Sequence, residues 1–151
     1  LKHSFGPSLR QLADALGLPL DSVTAAGELA TTRGDIEIAA GTLPAGSVGA
    51  QRVTITGIRN DRPLLRFRAN WYCTRDLTED WTLNETGWHI SVAGDAPLEV
   101  ELRMPVPLDR MAEVSPAYTA NRAVNSVAAV CAAPPGIRTT ADLPWIIASL
   151  A

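Results

Sequence analysis

Near the start of the chain the apolar residues Leu9, Leu12, Ala13 and Leu16 fall at i, i+3, i+4 and i+7. That spacing lines them up on one side of an α-helix. Pro7 suits the first helical turn and Gly17 with Pro19 marks the stop, so a short amphipathic helix with one buried face is predicted. The period then changes. Val23 to Thr32 is small, polar and β-branched, and Asp35-Ile36-Glu37-Ile38 alternates strictly, which predicts two strands ahead of a turn at Gly41-Thr42-Leu43-Pro44-Ala45-Gly46. Val53, Ile55 and Ile58 face one way against Thr54 and Thr56. After the short Asn60-Asp61 link, Leu65, Phe67, Ala69 and Trp71 alternate with Arg66, Arg68 and Asn70. These two runs are the clearest antiparallel hairpin in the sequence.

Thr74 to Gly87 shows no sustained period and reads as a long loop, a kind of segment that more often carries function than not. Trp88, Ile90 and Val92 next alternate with His89 and Ser91. Beyond Gly94-Asp95, Leu98, Val100, Leu102 and Met104 stand opposite Glu99, Glu101 and Arg103, giving a second hairpin with one wet face. Pro105 and Pro107 end it. Following Pro116, Tyr118 to Ala133 sets Ala120, Val124, Val127, Ala128 and Cys131 on one helical side until Pro134-Pro135-Gly136, a helix expected to pack flat on the sheet. Thr140 is placed to cap a short turn through Asp142 and Leu143, ahead of an apolar tail from Trp145 to Leu150. The pattern predicts an α+β fold over residues 1–151 as a single domain: a mixed, largely antiparallel sheet of about six strands, covered by helices.

Composition narrows the classes. Of 151 residues 46% are hydrophobic, and 13 basic side chains stand against 16 acidic ones for a net charge of −3. With no Lys/Arg run, the electrostatic footprint of a nucleic-acid binder is missing. No apolar stretch nears the ~18–20 residues that cross a bilayer, and the opening LKHSFGPSLRQ lacks a signal-peptide layout, so neither membrane nor nucleic acid is expected as a partner and the location is expected to be cytoplasmic. The first residue is Leu, and helical sequence begins almost at once, as in a piece of a longer chain.

The candidate chemistry is sparse. Cys73 and Cys131 lie in different segments, and His3 and His89 have no metal-ligand spacing, so reduced thiols and no metal are expected. Neither a G-x-G-x-x-G nor a Walker loop occurs; Gly46-Ser47-Val48-Gly49 reads as a turn between strands. Trp81, beside Asp80 in the long loop, can either wall a substrate pocket or pin the loop to the sheet. Asp76, Glu79, Asp80 and Glu85 offer carboxylates to an ammonium-bearing ligand, or form a solvated face. His89 reads as an outward strand residue or as a pocket hydrogen-bonder. Arg122 and Asn125, three apart near Thr119, share a helix face suited to a carboxylate or polar head, or to an exposed capping cluster. Lys2 is the only lysine, which leaves a Schiff-base mechanism almost without a candidate.

The run from Thr119 to Ile137, TANRAVNSVAAVCAAPPGI, followed by Thr140-Ala141-Asp142-Leu143-Pro144, resembles the C-terminal domain of the dihydrodipicolinate-reductase-like proteins, which include 2,4-diaminopentanoate dehydrogenase and the NAD(P)-dependent amine dehydrogenases. The opening helix with Leu20-Asp21, the Gly41-to-Gly46 turn and the Asp80-Trp81 loop extend the resemblance across the chain. It implies a two-domain oxidoreductase: an N-terminal Rossmann domain binding NAD(P), and this domain closing the substrate cleft and forming the contact of a homodimer. Hydride would pass between nicotinamide and an amine or imine carbon of a small amine, imine or carbonyl substrate. By position, the resemblance makes Trp81 with Asp80 a pocket wall and His89 and Arg122 polar contacts, with Asn125 beside Arg122. The family's glycine fingerprint has no counterpart here, so the isolated domain is expected to be inert. The His-His helix motif and catalytic lysine of true dihydrodipicolinate reductases are missing too, which argues against that lysine-synthesis step. A non-catalytic binding or assembly domain that kept the fold is the alternative; a self-contained hydrolase ranks last, since no nucleophile–base pairing is evident.

Overall fold

The computed structural model describes residues 2–84, 87–139 and 142–144. The expected Thr140 cap, the apolar tail from Trp145 and Glu85 lie outside them. The chain forms two compact units, Leu1–Asn84 and Glu85–Ala151.

In the first unit, α1 (Lys2–Ala15) is followed by β1 (Ser22–Thr31), β2 (Ile36–Ile38), β3 (Gly41–Leu43), β4 (Val48–Arg59) and β5 (Arg62–Tyr72). β1, β4 and β5 make an antiparallel three-stranded sheet in the order β1-β4-β5. The β4–β5 turn forms where the sequence predicts it. Asn60 and Asp61 both take positive φ (51° and 58°), the geometry whose twist suits a two-residue hairpin loop. Register then shifts by one residue, because Ile58 pairs with Pro63 but Gly57 pairs with Leu65, leaving Leu64 as a bulge. Beyond it, Ala25, Ile55 and Phe67 share one face, and Ala26, Thr54 and Arg68 share the other.

The apolar face lies under α1. Leu9 and Ala13 of the helix pack with Leu20, Val23, Val53 and Ile55, backed by Phe5, Leu65 and Phe67, and the Phe5 and Phe67 rings are 4.9 Å apart. A Cβ at Gly57 would come within 2.5 Å of Leu20 Cδ1, so the Leu20 side chain packs directly on the bare backbone there. At the end of the sheet away from the turn, Ala30, Ala50 and Leu77 form a second buried cluster, with Tyr72, Trp81 and Leu83 packed against it.

The second unit holds β6 (Gly87–Val92), β7 (Leu98–Arg103) and α2 (Leu108–Ala132). β6 and β7 pair antiparallel, with Trp88 opposite Leu102, Ile90 opposite Val100 and Val92 opposite Leu98. The alternation along both strands is therefore as read from sequence.

Two expectations are corrected. There is no six-stranded sheet among the described residues: the strands divide into the three-stranded sheet and two separate two-stranded ribbons, β2–β3 and β6–β7. Alternation fixes which side chains share a face but is silent on which strand lies beside which, and three-residue strands such as β2 and β3 pair only with each other across their turn. Nor does α2 lie on the strands of its own unit: among the described residues it has no contact with β6 or β7. Val124 and Val127, expected on its buried side, are 67% and 58% exposed. The helix also begins at Leu108, well before Pro116, which sits inside it. The predicted start after Pro116 treated that proline as a boundary, which is its usual meaning.

Candidate functional site

The long loop after β5 is irregular but firmly attached. Thr32, 1% exposed, is its anchor: its amide donates to Ser47 O at 2.9 Å, its hydroxyl to Pro44 O at 3.0 Å, and it bridges to Leu77. One residue earlier, Thr31 O accepts from the Thr78 amide at 2.8 Å. The Glu79 carboxylate completes the fastening, Oε2 accepting from the Thr31 amide at 2.8 Å and the Thr78 hydroxyl at 2.7 Å. Those hydrogen bonds, Thr78 first and Thr31 second, hold the Glu79 carboxyl below its ordinary pKa, and the Arg33 charge adds a smaller pull in the same direction. Arg33 in turn is 3.6 Å from Asp76.

Fastened in this way, the loop carries Trp81 onto the second buried cluster, where its ring is half-buried beside Tyr72 and Leu83. The Tyr72 hydroxyl donates to Asn84 O at 2.7 Å. Arg52, from the polar face of β4, places its guanidinium carbon 4.1 Å from the Trp81 ring centroid, and its Nε donates to Asn70 Oδ1 at 2.8 Å. A cation over an indole face is favourable by roughly 0.5–1 kcal/mol at such a surface site. Arg52 thus shares the polar face of β4 with Thr54 and Thr56 and meets Trp81 where the loop crosses the end of that face. Asp80, next to Trp81, is exposed. Arg52 and Glu79 are the residues that organise this region. Sequence reading named Glu79 among four loop carboxylates and passed over Arg52, whose place opposite Asn70 depends on the Leu64 bulge.

The second unit offers a cleft along α2. Thr119, Arg122, Ala123, Ser126 and Val130 line one side at helical spacing. Arg138 and Leu143, brought back by the Pro134-Pro135-Gly136 turn, line the other, enclosing about 350 Å³. The returning segment is held by its own hydrogen bonds. Arg138 donates through Nε and Nη2 to Pro134 O at 3.1 and 2.7 Å, and Asp142 Oδ2 accepts from the Thr139 amide and hydroxyl at 2.8 and 2.7 Å. The Thr139 hydrogen bonds keep the Asp142 carboxyl below its usual range. Arg122 is exposed at the cleft, a guanidinium able to take a carboxylate or another polar head; Asn125, half-buried one turn along, is not part of the lining.

His89 lies on the polar face of the β6–β7 ribbon, its Nε2 2.8 Å from Glu99 Oε2 and its Nδ1 4.0 Å from Glu101 Oε1. Ser91 also donates to Glu99, at 2.6 Å. The structure therefore brings Trp81 to Arg52 and Arg122 to a cleft, and surrounds His89 with carboxylates of its neighbouring strand. A further hollow of about 600 Å³ at the β4–β5 turn is lined by Leu18, Arg59, Asn60, Arg62, Pro63 and Leu64, none of them predicted from sequence.

Among the described residues no group of His, Cys, Asp and Glu side chains converges as metal ligands, and no helix is long and apolar enough to cross a membrane. These residues do not fit a dinucleotide either. Every strand pair is antiparallel, and the Gly46 turn leads from β3 into β4 instead of into a helix whose N-terminus faces phosphate.

Comparison with known proteins places the chain. The 2,4-diaminopentanoate dehydrogenase C-terminal domain family matches residues 3–151. No curated protein sequence matches. Among solved structures, the amine dehydrogenase from Mycobacterium smegmatis is similar over 97% of this chain with a TM-score of 0.66 and 22% identity, a likeness of fold. The chain spans 40% of the length of that protein. With the family matched almost end to end, the chain belongs to the 2,4-diaminopentanoate dehydrogenase C-terminal domain family.

Proposed function

We propose that this chain is the substrate-side half of an NAD(P)-dependent oxidoreductase acting at an amine or imine carbon, and that it also supplies the subunit contact of a homodimer. The family match over residues 3–151 carries the reading. The nucleotide belongs to an N-terminal Rossmann domain of the full-length protein, and the residues here bind and orient the substrate. Trp81 is the wall against which the substrate's apolar part rests, its ring already held by Arg52. Arg122 presents a guanidinium to a polar substrate group from the α2 cleft.

The test follows NAD(P)H absorbance in the full-length protein with short amines, and with carbonyls plus ammonia, alongside this chain alone. Turnover by the full-length protein and none by the chain is expected. Trp81→Ala should raise KM for the substrate about tenfold or more while leaving KM for the nucleotide within about twofold, since uniform substrate binding is what a wall provides. Near-UV circular dichroism checks that the variant is folded. Equal effects on both constants, or on neither, would remove Trp81 from the site. A full-length protein that binds nicotinamide and turns over none of these substrates would point to the non-catalytic assembly reading.

A further inference from the structure

β5 has a character that substrate binding leaves unused. It is the outer strand of its sheet, hydrogen-bonded to β4 on one side, and at 11 residues it is a long edge. Its two sides differ in chemistry. One carries Arg66, Arg68 and Asn70, all exposed; the other carries Leu65, Phe67 and Trp71, and Trp71 is 49% exposed. Charge is concentrated around them. Strands β4 and β5 hold five of the chain's arginines and no aspartate or glutamate, although acidic residues outnumber basic ones in the chain as a whole. Glu28 is the single acid on β1, so the three strands together carry one carboxylate. Neither Arg66 nor Arg68 has an ion-pair partner among the described residues.

Charged side chains on an edge keep unsuitable strands from pairing with it. They also specify the strand that suits. We propose that β5 is a docking edge for an extended protein segment in which acidic and apolar residues alternate, added to the sheet as a fourth strand. The backbones would pair at the usual spacing of about 4.7–4.9 Å. Every second side chain of the segment, about 6.8 Å from the next, would then lie beside the arginine side, one carboxylate at Arg66 and one at Arg68. The intervening apolar residues would continue the Leu65–Phe67 side and cover Trp71. A phosphate polymer or a free anion has no apolar groups in alternation with its charges, so the two-sided pattern selects a peptide. A basic segment is repelled, and one whose acids are bunched together sets some of them against the aromatic side.

Fluorescence anisotropy of labelled synthetic peptides with the full-length protein tests this. One peptide alternates Glu and Val; a second has the same composition in two blocks; a third is the alternating peptide N-methylated at every backbone amide, so that neither of its edges can pair. The alternating peptide should bind, and the block and N-methylated peptides should bind at least about tenfold more weakly. A double variant, Arg66→Glu with Arg68→Glu, should also lose at least about tenfold, and the milder pair Arg66→Gln with Arg68→Gln should lose less; both changes are at exposed positions, so the fold is retained. Equal binding of the alternating and block peptides would reduce the effect to general attraction of anions and overturn the proposal. Undiminished binding by the N-methylated peptide or by the Glu variant would overturn it as well. If the protein dimerises in sedimentation and the Glu variant does not, the edge is filled by a second copy and an external segment is ruled out.

Discussion

Glu79 fastens the loop that carries Trp81. Its carboxylate accepts from a backbone amide and a hydroxyl on two different segments, and both bonds are stronger to the charged form. The folded-state pKa is therefore lowered, and the sign of the pH effect follows. The stability that Glu79 contributes is fully present above the unfolded-state pKa, about 4.3 for glutamate, and is lost as pH falls through the lower folded-state value. Urea midpoints of the wild type and of Glu79→Gln should differ at pH 7 and converge as the pH drops below about 4. Midpoints that stay parallel throughout would remove the carboxylate from this role. Asp142, held by Thr139, acts in the same direction at the α2 return. Little of this was legible in the sequence. Glu79 was one acid among several in an aperiodic stretch, and its partners at Thr31 and Thr78 are set by the way the loop crosses the end of β1.

The β4–β5 hairpin was legible, and the reason lies in its particular residues. Val53 and Ile55 alternate with threonines, Leu65 and Phe67 alternate with arginines, and Asn60-Asp61 tolerates the positive φ that the turn demands. With Leu64 in the ladder the turn would set Ile55 opposite Arg66, and leaving Leu64 unpaired as a bulge corrects the phase so that Ile55 meets Phe67. Inserting one residue after Leu65 would set Arg66 opposite Ile55 and Arg68 opposite Val53, carrying both under α1 and turning Phe67 outward, a reversal of faces that buries unpaired charge. Loss of the cooperative thermal transition is expected, whereas Leu64→Ala, at a position 38% exposed, should cost about 1 kcal/mol or less. An insertion variant that melts like the wild type would show that the register is set elsewhere. α2 was half legible. Its C-terminal end at Pro134-Pro135-Gly136 is where the sequence places it, while its first turns run from Leu108 through Pro116, a residue that reads as a break.

For the molecule as a whole, the class and the family were within reach of the sequence and the arrangement of strands was not. Trp88, Ile90 and Val92 alternate as strongly as Val53 and Ile55, yet they belong to a two-stranded ribbon, because periodicity records a face and not a neighbour. Arg122 reached a cleft because helical spacing is a local property. The facing wall, Arg138 and Leu143, arrives only after a turn whose path the spacing does not encode.

The fastening of Thr31 and Thr32 to Leu77, Thr78 and Glu79 joins residues more than 40 positions apart. In an open chain such a contact closes a long ring and is correspondingly slow to form. Once the β4–β5 hairpin and its pairing with β1 have formed, Ala30, Ala50 and Tyr72 lie in one row, and the same contact needs only the few residues from Tyr72 to Leu77 to turn back. The loop that carries Trp81 should therefore be a late arrival in folding: substitutions at Asn60 should slow refolding, while those at Thr78 should chiefly hasten unfolding. Stopped-flow chevrons in which the Thr78 variant slows refolding as much as the Asn60 variant would reverse that order.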